Sequence, residues 1–190
     1  MSEPSNTIYW SLGSMLRTTM PILIGMAVLG VVSGTMLQSF EKQLLIYPSI
    51  LFLIPALIGI GGNLGTIFGS RFATGIHLGI LEFKFSNPIF RNNIIAILIV
   101  NIIIFLILGF MSYFIINLIG IGVLSLTNVV LLSFFAGLIL TSALIPTAIF
   151  VAYISYRKGL DPDDTIIPTV TPTGDIIGIL ALLAVIVLLL

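Results

Sequence analysis

Cysteine is absent from this sequence, and histidine occurs once, as His77, among 190 residues. The absence of cysteine excludes disulfides, thiolate metal sites and cysteine nucleophiles, and a single histidine disfavours zinc and copper sites. Charged residues are scarce, at 7%, and their signs balance to no net charge, so nothing favours nucleic acid as a partner. No nucleophile lies at a useful spacing from a general base, and the sequence therefore predicts a protein that is not an enzyme.

Apolar residues dominate the chain instead. They make up 58% of it, and the mean hydropathy is +1.27, which is more apolar surface than a soluble core of this size can bury. We therefore predict an all-α polytopic membrane protein in contact with the lipid bilayer. About 20 apolar residues cross a bilayer core of about 30 Å. Five stretches meet this length and predict five transmembrane helices: residues 16–38, 44–80, 93–116, 129–156 and 165–190.

The basic residues of the short loops predict the topology. The N-terminal residues lack the basic start and short apolar core of a signal peptide, so the first apolar stretch is expected to be retained. Residues 1–190 are expected to form a single transmembrane domain without a soluble regulatory domain. Lysine and arginine mark the cytoplasmic side. One side of the predicted topology has only Lys42, and the other has five basic residues: Arg17, Lys84, Arg91, Arg157 and Lys158. The N-terminus is therefore predicted in the cytoplasm and the C-terminus outside the cell membrane.

Two of the predicted spans contain residues that weaken a helix. The stretch PALIGIGGNLG, residues 55–65, has four glycines in seven residues, and a break is expected near residues 61–63. In the last span Pro168 and Pro172 predict a second break near residues 168–172, and the pair Asp161 and Pro162 is typical of a helix start. The alternative interpretation of the glycines is close packing between helices.

Asp175 is a carboxylate within the last apolar stretch. An ionised aspartate in hydrocarbon costs about 2.5–3.5 kcal/mol on the insertion scale, so it indicates a functional site. Its oxygens, with Asn63 and threonine hydroxyls, suit hard cations: magnesium, calcium, manganese, sodium or a proton. One carboxylate per chain is too few to strip and enclose a small divalent ion, whereas a two-fold dimer would bring two such carboxylates together, and this arrangement favours a hydrated divalent ion. The structural alternative is an ion pair between Asp175 and a buried Arg71.

Two motifs resemble the MgtE family of magnesium channels and transporters. The stretch PALIGIGGNLGTIFGSRFATGIHLG is similar to the family's second membrane helix, and DPDDTIIPTVTPTGD is similar to the entry to its last helix. The second motif also resembles the related eukaryotic solute carriers for magnesium. The resemblance implies an MgtE-like domain of five helices that forms a homodimer with a magnesium pore at its interface. It further implies that the metal-site residues are Asp175, Thr171 through its backbone carbonyl, Asn63 and Gly62.

Three features depart from the family pattern. The regulatory domains of full-length MgtE proteins have no counterpart here, Ile67 or its neighbour replaces a glutamine, and Pro172 is unusual beside the ion-binding turn. The first hypothesis is transport of Mg²⁺ by a homodimer, or by a heterodimer in which a homologous half replaces one copy. The alternatives are a sodium- or proton-coupled divalent cation exchanger and a non-transporting membrane subunit of a larger complex.

Overall fold

The helices of the chain follow its apolar stretches. A computed structural model describes residues 12–121, 124–158 and 162–190. Every regular element in these residues is a helix, which confirms the all-α class. The six helices are α1 (Leu12–Ser39), α2 (Glu41–Ile46), α3 (Pro48–His77), α4 (Pro88–Ile119), α5 (Leu126–Lys158) and α6 (Pro162–Leu189).

Four helices in the described ranges are long and apolar enough to cross a membrane: α3 from Ile50, α4, α5, and α6 from Thr165. In α1 the apolar stretch is shorter, Leu23–Ser39. The protein is therefore a multi-pass membrane protein, and the fifth span stays a prediction. The outer face of α4 suits contact with lipid, because it exposes a row of large apolar side chains: Ile99, Ile103, Ile107, Phe110 and Phe114.

The second predicted span, residues 44–80, is wrong in two respects. It comprises the short helix α2 and the long helix α3, separated at Tyr47, and α3 ends at His77. In addition, α3 runs without interruption through residues 61–63. The helix persists because large side chains pack onto its glycines, with Leu140 against Gly61 and Val170 against Gly65. The alternative interpretation of the glycines, close helix packing, is therefore the correct one.

The predicted break near residues 168–172 is also wrong. The helix α6 begins at Pro162 and continues through Pro168 and Pro172. Each proline removes one backbone donor. Neighbouring helices support this stretch, since α6 packs against α3, α5 and α1. The hydroxyls of Thr169, Thr171 and Thr173 donate to the carbonyls of Thr165, Ile167 and Thr169 at 2.7, 3.1 and 2.7 Å, which are not the carbonyls that the prolines leave without a donor. The expected cap, Asp161, lies outside the described residues.

The contact between α4 and α5 combines glycines with buried hydrogen bonds. The ring of Phe105 covers Gly137, and a Cβ added at Gly109 would lie 2.7 Å from the backbone Cα of Val130. The Ser133 hydroxyl donates to the Phe105 carbonyl at 2.7 Å. The Thr141 hydroxyl donates to Oδ1 of the fully buried Asn101 at 2.6 Å. Hydrogen bonds between helices in lipid contribute about 0.6–2 kcal/mol each, so these two bonds stabilise the contact between α4 and α5.

Replacing Gly109 with alanine tests this close approach. The added methyl group meets backbone that cannot rotate away, and overpacking of this kind costs about 1–3 kcal/mol. At about 2–4 °C per kcal/mol for this chain length, the midpoint of thermal unfolding in detergent should fall by several degrees, as measured by loss of the monodisperse peak after heating. Gly30→Ala is the matched control, because an added Cβ there meets nothing within 4 Å. Equal midpoints for the two variants would contradict the packing.

Candidate functional site

The site is built on an antiparallel contact between α3 and α6. Going along α3, successive small residues meet successively earlier residues of α6. An added Cβ at Gly62 would lie 3.4 Å from Cγ2 of Thr171, one at Gly65 would lie 2.5 Å from Val170, and one at Gly69 would lie 2.7 Å from Ile166. In lipid, small residues allow two backbones to approach in this way. The glycines therefore bring the polar residues of both helices together.

Asn63 and Asp175 lie at the same level of this contact. Each directly follows a glycine of the pair Gly62 and Gly174, and a Cβ added at Gly174 would lie 4.0 Å from the backbone nitrogen of Gly62. Asn63 is near the middle of the span Ile50–His77, and Asp175 is in the interior of the span Thr165–Leu189. The side chain of Asn63 is exposed and that of Asp175 is partly exposed. Neither one hydrogen-bonds to any residue that the structure describes. Two polar groups are thus held in the interior of two apolar spans, with side chains that are at least partly exposed.

Two threonines join α3 to α6 beside these groups. Thr66 Oγ1 donates to the Gly62 carbonyl at 3.0 Å, and Thr171 Oγ1 donates to the Ile167 carbonyl at 3.1 Å. The two hydroxyl oxygens lie 3.5 Å apart, and both residues are partly buried. Thr66 and Thr171 therefore form one cluster with Gly62, and the two hydroxyls belong to residues about one helical turn from Asn63 and Asp175.

The continuous α6 changes which carbonyl is free. In an α-helix the N–H of residue i bonds to the carbonyl of residue i−4, so the N–H of Asp175 is placed for the carbonyl of Thr171. Pro172 has no N–H, and the carbonyl left without its helical donor is that of Pro168. Through its hydroxyl, Thr171 still contributes an oxygen to the cluster.

Thr66 belongs to a polar stripe that sequence reasoning missed. Along α3, five small or polar residues recur every three or four positions and so share one face: Gly59, Asn63, Thr66, Ser70 and Thr74. All of them are at least partly exposed. The spacing of these five residues follows the helical period, so the sequence alone is sufficient to predict that they share a face. The family motif includes only Gly62 and Asn63 as site residues.

The alternative role of Asp175, an ion pair with a buried Arg71, is wrong. Arg71 is exposed, and the ion pair found among the described side chains joins Lys84 to Glu82 at 3.5 Å. The helix contact explains the separation, because Gly62 faces Gly174 and Arg71 lies nine residues further along α3. At 1.5 Å per residue this is about 14 Å. Asp175 is therefore left without a basic partner within the described part of the subunit.

Comparison with known proteins identifies the family of this chain. The sequence matches the model of the MgtE family, a divalent cation transporter, over residues 54–185. The chain belongs to the MgtE family. This match confirms the resemblance, and it covers the region from within α3 to within α6, including every residue of the α3 and α6 cluster. No curated protein matches the chain. Membership of MgtE supports divalent cation transport across a membrane, which is the function of a transporter family and not of an enzyme family.

No resident metal cage is visible at this site in the described ranges. No three His, Asp or Glu side chains come together there. The oxygens available at the α3 and α6 contact are the carboxylate of Asp175, the amide oxygen of Asn63 and the hydroxyls of Thr66 and Thr171. These are hard donors of the kind that alkaline-earth cations and their bound waters prefer.

Replacing Arg71 with glutamine tests the separation of Arg71 from Asp175. Because Arg71 is exposed and unpaired with Asp175, the free energy of unfolding should change by no more than about 0.5 kcal/mol, which shifts the midpoint of thermal unfolding by about 2 °C or less. If the two residues were paired, removing one would leave a buried charge and cost about 3–5 kcal/mol. A large loss of stability that Asp175→Asn reverses would contradict the observed geometry.

Proposed function

We propose that this MgtE protein conducts hydrated magnesium through a pore formed between two copies of the chain, with the Asp175 carboxylates of the two copies at its centre. The proposal is supported by the position of Asp175 and Asn63 in the interior of two apolar spans, at the same level of the α3 and α6 contact, without a side-chain partner in the described chain.

A second copy of the chain explains how this face avoids lipid. Hydrocarbon cannot solvate an ionised carboxylate, and charged residues in membrane spans face the interior of a bundle or a water-filled cavity. A two-fold axis beside α3 and α6 would place the same surface of both copies together and enclose water between them. A heterodimer with a homologous half would enclose the pathway equally well, and the mass of the purified assembly would distinguish the two.

The choice of magnesium follows from the donors at the site. One carboxylate per subunit gives two at the axis, too few to replace all the waters of a small divalent ion. Magnesium keeps several waters and is commonly held through one or two carboxylates. The amide oxygen of Asn63 and the hydroxyl of Thr171 would then accept hydrogen bonds from those waters, and Gly62 would let the two helices approach closely enough for both to do so. Calcium, which takes six to eight oxygen ligands, fits this sparse set of donors less well.

The orientation of the pathway follows from the basic residues. Lys84, Arg91, Arg157 and Lys158 lie at the ends of α3, α4 and α5 that share one side of the membrane, and such residues mark the cytoplasmic side. The C-terminal end of α3 and the N-terminal end of α6 would then face the cytoplasm, and the C-terminus of the chain would lie outside the cell membrane.

Asp175→Asn tests the proposed function. Magnesium uptake into liposomes that contain the purified protein should fall at least about tenfold, because each 1.4 kcal/mol of lost ion binding corresponds to a factor of ten. Glu82→Gln is the matched control, since Glu82 is an exposed carboxylate in the loop after α3, and its uptake should equal that of the wild type.

The same assay separates the alternatives. Uptake that appears only with an imposed sodium or pH gradient would indicate an exchanger. An absence of uptake under any gradient would contradict the proposal and indicate a subunit of a larger complex.

A further inference from the structure

The loop between α3 and α4, residues 78–87, is folded against the end of α3. Leu81 is buried beside Gly75, where an added Cβ would lie 2.9 Å from the Cβ of Leu81. Asn87 fixes the other end of the loop, because its Nδ2 donates to the Ile80 carbonyl at 3.1 Å and its Oδ1 accepts a hydrogen bond from the first turn of α4. Packing and hydrogen bonds therefore give this loop a defined shape.

Large apolar and aromatic side chains are exposed on this loop and on the adjacent end of α5. The exposed fractions are 65% for Leu78, 70% for Phe85 and 61% for Tyr156. Exposed apolar side chains are unfavourable in bulk water, whereas aromatic side chains are enriched at the level of the lipid headgroups. The loop also directly follows the membrane span Ile50–His77. It therefore lies at the interface between membrane and water.

A cavity of about 380 Å³ opens between this loop and α5. Three apolar and three polar residues contribute to its lining: Ile76, Leu81, Phe83, Glu82, Lys84 and Tyr156. The Phe83 ring joins the loop to α5, with its centroid 5.4 Å from that of Tyr153 and 6.3 Å from that of Tyr156. Small-molecule sites have volumes of about 300–1,000 Å³, so this cavity has room for a phospholipid headgroup.

Basic groups outnumber acidic ones beside this cavity in the described part of the chain. Lys84 is exposed, and its ammonium lies 3.5 Å from the Glu82 carboxylate, in the kind of exposed ion pair that contributes little to stability. The guanidinium carbon of Arg157 lies 5.5 Å from the centroid of the Tyr153 ring, which packs against Phe83 in the cavity wall. Arginine and lysine are the side chains that bind phosphate groups. These charges therefore favour an anionic ligand with a phosphate group.

The apolar part of the lining distinguishes a lipid from a free anion. Inorganic phosphate would leave Ile76, Leu81 and Phe83 in contact with water, whereas the glycerol backbone and the first methylene groups of a phospholipid would cover them. Membrane lipids are also present at high concentration at the interface where the cavity opens.

We infer that this cavity is a binding site for the headgroup of an anionic phospholipid, with Lys84 and Arg157 as the phosphate-binding side chains and Tyr156 beside the glycerol backbone. A bound lipid would connect the loop after α3 with the end of α5. The site is separate from the proposed pathway, because Ile76 lies 14 residues beyond Gly62 along α3, about 21 Å at 1.5 Å per residue. The inference therefore does not depend on the proposed function.

Native mass spectrometry of the full chain in a neutral detergent tests this site. The protein is titrated with dioleoylphosphatidylglycerol, which is anionic, or with dioleoylphosphatidylcholine, which has the same acyl chains and no net charge. The dissociation constant of the first bound lipid is measured. One basic residue strengthens binding to anionic lipid about fivefold. Lys84→Gln and Arg157→Gln should therefore each weaken phosphatidylglycerol binding about fivefold and leave phosphatidylcholine binding unchanged.

Lys158→Gln is the matched control. Lys158 is also exposed at the end of α5, but it lies about 200° around the helix from Tyr156. Its dissociation constants for both lipids should equal those of the wild type. If Lys84→Gln or Arg157→Gln fails to fold, the other variant provides the same test.

Several outcomes would overturn the inference. Wild-type affinity for phosphatidylglycerol in both Lys84→Gln and Arg157→Gln would refute the site, as would equal affinity of the wild type for the two lipids. An equal loss of affinity in Lys158→Gln and Lys84→Gln would indicate a general attraction to the basic surface instead of a cavity. Displacement of phosphatidylglycerol by an equal concentration of inorganic phosphate would indicate a site for a free anion. Magnesium uptake does not enter these measurements, so failure of the proposed function would leave them unaffected.

Discussion

The close approach of α3 to α6 is the contact on which the rest of the site depends. It requires glycine at Gly65 and Gly69, because an added Cβ there would lie 2.5 and 2.7 Å from side chains of α6. The same contact sets the level of Asn63 against Asp175 and brings the Thr66 hydroxyl to that of Thr171. In lipid such packing takes over much of the role that the hydrophobic effect plays between helices in water. The residues of the proposed pathway are consequently positioned by glycines, which have no side chains of their own.

A second constraint connects this packing to function. The helix α4 exposes large apolar residues, while the α3 and α6 face leaves a carboxylate and an amide exposed in the interior of two apolar spans. Hydrocarbon does not tolerate such a face. The second copy of the chain that we propose would cover this face and provide water, a cation or a matching polar surface. A two-fold partner in the MgtE family would provide all three along one axis.

Composition and length were sufficient to predict the all-α class, the membrane location and most of the span positions, because a bilayer imposes a minimum length on an apolar helix. The predicted breaks failed for a shared reason. Glycine and proline weaken an isolated helix, but Leu140 and Val170 pack against the glycines of α3, and α1, α3 and α5 pack against the helix α6 that contains the prolines. Such support comes from tertiary packing, which the local sequence does not show. The separation of Arg71 from Asp175 likewise depends on helix register.

The most direct test of the central claim, that the α3 and α6 face lines an aqueous ion pathway, uses the absence of cysteine from the chain. Single cysteines are introduced as Asn63→Cys on this face and as Ile103→Cys on the lipid side of α4, where the isoleucine is 53% exposed. Each protein is treated in liposomes with a charged, membrane-impermeant thiol reagent. We expect the reagent to modify Asn63→Cys and to leave Ile103→Cys unmodified. Modification of Asn63→Cys should block magnesium uptake, and magnesium should slow the modification. Failure of the reagent to reach Asn63→Cys while uptake proceeds would contradict the account.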